Sequence, residues 1–125
     1  MYLNLTYKKN EIQILLNNAY LYSLKGFDAW AKKAVLKAES LAQKGEFFEE
    51  LLDIQDKKID LFPRIFLPKK QDGKTAMMQK WSEDRFFTTK ELHIRNCLNS
   101  IKTHVEYLVN FFVSADKQGA LYEKN

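Results

Sequence analysis

A few residues in this sequence have the types and spacing to suggest chemistry. Gly73-Lys74-Thr75 ends like a phosphate-binding loop. That motif needs a glycine five positions before its second one, so that backbone amides can curl round the phosphates. Pro68 stands there instead, with no amide hydrogen and a fixed φ. No parallel-sheet pattern supplies a magnesium-binding aspartate, so a basic turn is the better reading. His93 and His104 stand eleven residues apart. Helical metal pairs sit at i, i+3 or i+4, so these two cannot share an ion, and no metal or cofactor is expected. Cys97 flanks Leu98 on an apolar helix seam with no base read beside it, which suggests a buried, inert thiol. No catalytic constellation emerges, and the chain is not expected to be an enzyme.

Charge is more informative. Residues 1–45 carry seven Lys/Arg against three Asp/Glu, residues 46–62 two against six, and residues 63–125 eleven against seven. An acidic segment therefore lies between two basic ones. Glu46, Glu49, Asp53, Asp56 and Asp60 step along one helix face and could meet a basic partner surface or a divalent ion, although the same pattern serves more readily as a solvated outer face. The candidate nucleic-acid contacts are Lys33, Lys37 and Lys44 on one side of a helix, Arg64, Lys69, Lys70 and Lys74 in a connector, and Lys80 and Arg85 beyond it. Scattered lysines neutralise phosphates and release counterions, and suit backbone contact better than base reading. Trp81, Phe86 and Phe87 beside them could stack on unpaired bases, but their apolar surroundings read more readily as core.

These groups need a scaffold, and 125 residues with 46% hydrophobic content suffice for one cored domain. Residues 1–9 alternate loosely through Leu3, Leu5 and Tyr7, as an extended arm or short strand would. Asn10 resembles a cap for a first helix carrying Ile12, Leu15, Leu16 and Ala19, which stops at Gly26. A second helix, 27–44, lines one face with Phe27, Trp30, Ala31, Ala34, Ala38, Leu41 and Ala42, and Gly45 follows it. A third, 46–61, turns Phe48, Leu51, Leu52, Ile59 and Phe62 inward and ends at Pro63. Residues 63–74, with two prolines and Asp-Gly, read as an exposed basic loop. A short helix over 75–85 and a long one capped by Thr88 and Glu91 complete the chain, with 118–125 as a tail. Ile94, Leu98, Ile101, Val105, Leu108 and Phe112 form a heptad seam in that last helix, fit for a central spine or an oligomer interface. The expectation is an all-α, single-domain bundle of four to five helices with a long C-terminal helix. The lone cysteine and the lack of a signal or membrane-span pattern suggest the cytoplasm.

The stretch Tyr107-Leu108-Val109-Asn110-Phe111-Phe112-Val113-Ser114-Ala115-Asp116-Lys117-Gln118-Gly119-Ala120-Leu121-Tyr122 resembles the closing helix of the small subunits of CRISPR effector complexes. The resemblance covers these 16 residues and contains no diagnostic motif. It implies a non-catalytic helical bundle that supports guide or target strands through basic surfaces. The expected function is accordingly a subunit that binds nucleic-acid backbone within a larger complex, beside other protein subunits or copies of itself and away from membranes. The alternative is a protein-binding adaptor or inhibitor, such as an antitoxin-like, immunity or anti-defence protein. It would act through the acidic face or the long last helix.

Overall fold

The computed structural model describes the backbone of residues 2–124 and the side chains of 5–117. Within it the chain is all-α, with no strand among the described residues. Its helices are α1 (Tyr2–Leu24), α2 (Asp28–Lys44), α3 (Phe48–Asp60), α4 (Pro63–Phe66) and α5 (Gln71–Lys124). By contacts it divides into two compact units, Met1–Glu91 and Leu92–Asn125.

The first unit has its core on the faces that helical periodicity predicts. Ile12, Leu16 and Ala19 of α1 meet Ala34, Val35, Ala38 and Ala42 of α2, and Phe47, Leu51, Ile54 and Phe62 close the far side. Small alanine side chains let the α1 and α2 backbones approach closely, and that contact is the most extensive in the unit. Ile54 and Gln55 are buried on α3, although the spacing that singled out Leu51 and Phe62 had passed them over.

The helix ends show where local chemistry decides. After α1, the Gly26 amide donates to the Ser23 carbonyl and the Phe27 amide to the Tyr22 carbonyl. This is a Schellman closure, and Gly26 takes the left-handed conformation (φ 84°) as expected. The same pair of bonds recurs after α2, from Glu46 to Gln43 and from Phe47 to Ala42. Here the left-handed residue is Glu46 (φ 55°), not Gly45. Gly45 has a different job, because a Cβ there would collide with the Phe47 ring.

Several expectations are corrected. Residues 2–9 are helix, not an extended arm: nothing between Tyr2 and Leu24 breaks a helix, so cooperative propagation runs through Asn10, which is interior and no cap. The 63–74 loop shrinks to a connector over 67–70. Pro63 opens the single-turn α4, where its missing amide costs nothing, and Asp72, Gly73 and Lys74 lie in the first turns of α5. Gly73 is tolerated there because Pro68 crowds the place a Cβ would take, at 2.8 Å from its own Cβ. The two predicted C-terminal helices are one helix, which also takes in 118–124 in place of a tail. Thr88 is not its cap. Its hydroxyl donates to the Asp84 carbonyl one turn back (2.9 Å) and accepts from Gln55 Nε2 (3.0 Å), so a residue that favours caps is satisfied mid-helix.

Candidate interaction surfaces

The start of α5 is tied to α3. The Trp81 indole donates to the Gln55 carbonyl (2.9 Å), and Arg85 Nε donates to Asp56 (2.9 Å) while its guanidinium lies over the Trp81 ring. The hydrogen bond and charge of Asp56 raise the Arg85 pKa. Thr88 has one hydroxyl hydrogen and gives it to Asp84. Its oxygen can therefore only accept from Gln55, which fixes the Gln55 amide and leaves buried Oε1 without a donor.

The acidic stripe is partly neutralised from within. Asp56 is held by Arg85, and Asp53 by Lys57 one turn on (2.9 Å). Glu49 and Asp60 are exposed, and Glu46 sits in the left-handed turn. Glu50 and Glu39, outside the stripe, meet Lys9 and Lys58.

The nine basic candidates fall into distinct settings. Arg64 donates to Asp28 (2.6 Å) and to the Ser23 carbonyl, and Arg85 is engaged by Asp56, so both guanidinium groups brace the bundle. Lys69 and Lys70 are exposed in the connector, Lys74 and Lys80 on α5, and Lys44 at the end of α2. Lys33 and Lys37 share a groove of about 440 Å³ between α1 and α2, lined also by Leu15, Asn18, Tyr22, Trp30 and Ala34. Trp30 was expected on the inner face of α2, as was Phe27, but it is 64% exposed. The alanines fill the inner face, and the wider ring packs sideways, edge-on to Tyr22 (centroids 5.5 Å) and tilted to Phe27. Phe86 and Phe87, also expected as core, are exposed as well, because Trp81 and Thr88 take the α3-facing side of α5.

In the second unit the heptad seam carries no core. Ile94, Leu98, Ile101, Val105, Leu108 and Phe112 are all exposed, as are Tyr107, Val109, Phe111 and Val113. Cys97 is exposed too, against expectation, because the seam it flanks is uncovered. His93 Nε2 lies 3.7 Å from its sulfur, one helical turn back, a neighbour that i, i+4 spacing should have revealed. His104 is exposed beside Ser100 and Tyr107. Among the described residues no group of three or more His, Cys, Asp or Glu could hold a metal ion, and no helix is long and apolar enough to cross a membrane.

No family model, curated protein or solved structure matches the chain, so these surfaces stand on their own geometry.

Proposed function

We propose that this protein is a non-catalytic interaction protein that docks a complementary apolar helix along residues 92–117. The observation that carries this reading is the seam of Ile94, Leu98, Ile101, Val105, Leu108 and Phe112, flanked by Val109 and Phe111, each 40–64% exposed. Single exposed leucines are ordinary, but a contiguous apolar strip of this size marks an interaction site. Heptad spacing adds the kind of partner, since knobs at 3,4 intervals fit the holes of another helix.

The test is a photoreactive residue in place of Lys102, beside the seam, with a control in place of Thr103 on the opposite side, both in living cells. The reading expects a protein adduct at 102, absent at 103, and abolished by Leu108→Lys. Equal labelling at both positions, or none at 102, contradicts it.

A second reading is carried by a different observation, the Trp30 groove. An exposed indole beside Lys33 and Lys37, neither in an ion pair among the described residues, suits an unpaired base stacked above a neutralised phosphate. This is the role implied by the resemblance to CRISPR small subunits. Lys33→Glu with Lys37→Glu should weaken a fluorescent single-stranded oligonucleotide at least tenfold, and Trp30 emission should quench on binding. Lys69→Glu, Lys70→Glu and Lys74→Glu together test the connector in the same assay. Unchanged affinity in both variants ends this reading.

A further inference from the structure

Resting on the docking reading above, we infer that the occupant of the seam is a second copy of this chain, paired antiparallel through residues 94–116. The heptad register places Leu98, Val105 and Phe112 at a positions and Ile94, Ile101, Leu108 and Ala115 at d. The flanking e positions are Arg95, Lys102, Val109 and Asp116, and the g positions Cys97, His104 and Phe111.

Charge and shape choose the orientation. In a parallel pair each g residue faces the e residue five further along the other helix. Phe111 would then lie against Asp116 of the second copy, and Cys97 against Lys102. The a layer would also stack Phe112 on Phe112. In an antiparallel pair centred between Glu106 and Tyr107, e faces e and g faces g. Arg95 then meets Asp116 of the second copy at both ends, and the stem of Lys102 covers Val109. His104 lies edge to edge with Phe111. The core layers become Leu98 on Ala115, Ile101 on Phe112 and Val105 on Leu108, each repeated by the twofold axis, so bulky residues oppose smaller ones. Each antiparallel juxtaposition is favourable, whereas the parallel pair buries an aromatic ring against a carboxylate.

The area is sufficient. Seam and flanking apolar side chains (Ile94, Leu98, Ile101, Val105, Leu108, Val109, Phe111 and Phe112) are 40–64% exposed. At about 100 Å² each they offer roughly 800 Å² per copy, the level of a standard stable interface. A membrane surface is a poorer match, because residues 92–117 carry three Lys/Arg and two Asp/Glu, not the basic polar face of an interfacial helix.

The test uses the full chain carrying Cys97→Ser. Light scattering at tens of micromolar should give twice the 14.8 kDa chain mass, falling to one chain with Ile101→Asp and Leu108→Asp. Orientation is read by disulfide trapping. Val105→Cys protein mixed with Leu108→Cys protein should cross-link efficiently, whereas Val105→Cys alone should not. Efficient trapping by Val105→Cys alone means a parallel pair and overturns the orientation. A single-chain mass overturns self-pairing altogether. If residue 102 still captures a heavier, seam-dependent adduct in cells, the docking reading survives with a different partner; if it captures none, both fall.

Discussion

The two units spend their apolar residues in opposite ways. In Met1–Glu91 the helical stripes find each other: Ile12 and Leu16 of α1 lie on Ala34, Val35 and Ala38 of α2, and Ile54 and Phe62 are sealed behind them. In Leu92–Asn125 an equally regular stripe faces outward along its whole described length. Periodicity alone is therefore no measure of burial. The first unit packs several helices around alanines small enough to bring backbones together, whereas the second offers one helix whose stripe is exposed among the described residues. On the proposed reading, its core comes from another chain.

Substitutions break this comparison in order of size. Ile54→Ala, in the sealed core, should cost about 2–5 kcal/mol in urea unfolding, because it leaves a cavity the surrounding helices cannot fill. Ile101→Ala should leave the unfolding of the isolated monomer nearly unchanged, within about 0.5 kcal/mol for an exposed position. An equal cost at both positions would mean that the seam is buried within one chain.

Thr88→Val probes the buried polar contact between α3 and α5. It strands Gln55 Nε2 beside an oxygen that already has no donor, and should cost about 1–3 kcal/mol. Gln55→Leu combined with Thr88→Val removes both polar ends and should recover most of that loss, which a double-mutant cycle would reveal.

Glu46→Gly should stabilise the first unit by about 1 kcal/mol, because a left-handed conformation burdens a residue with a Cβ. Gly45→Ala should do the reverse, since its Cβ meets the Phe47 ring. Arg64→Ala should also have a small effect. Its exposed pair with Asp28 is worth at most about 1 kcal/mol, and that contribution should fade with added salt.

The legible part of the fold was the part decided locally. Alanine and aliphatic spacing identified α1 from Asn10 onward and the small-residue face of α2, and Pro63 and Gly26 punctuated the chain where expected. What misled were signals that look local but are settled by tertiary contact. Thr88 and Glu91 spell a capping box, yet the Thr88 hydroxyl is occupied by Asp84 and Gln55, so the helix runs through. Gly73 spells a turn, yet it is helical against Pro68. Gly45 and Glu46 exchange the roles that composition assigns them. At the candidate surfaces, the sequence reading found Lys33 and Lys37 but took Trp30 for core, and it missed His93 one turn before Cys97. It also could not show that Asp56 and Arg85 satisfy each other, because they stand 29 residues apart. The seam itself was plain in the heptads; its exposure was not, since period says which side chains share a face and nothing about what covers it.

Amide hydrogen exchange at rising protein concentration shows whether a second chain holds residues 92–117. The core amides of α1, α2 and α3 should exchange slowly at every concentration. Those of 92–117 should be fast in dilute protein and become protected as the concentration rises, with Leu108→Asp abolishing the change. Amides over 92–117 that match the α2 core in dilute protein would contradict pairing, since the helix would then need no second chain to hold it.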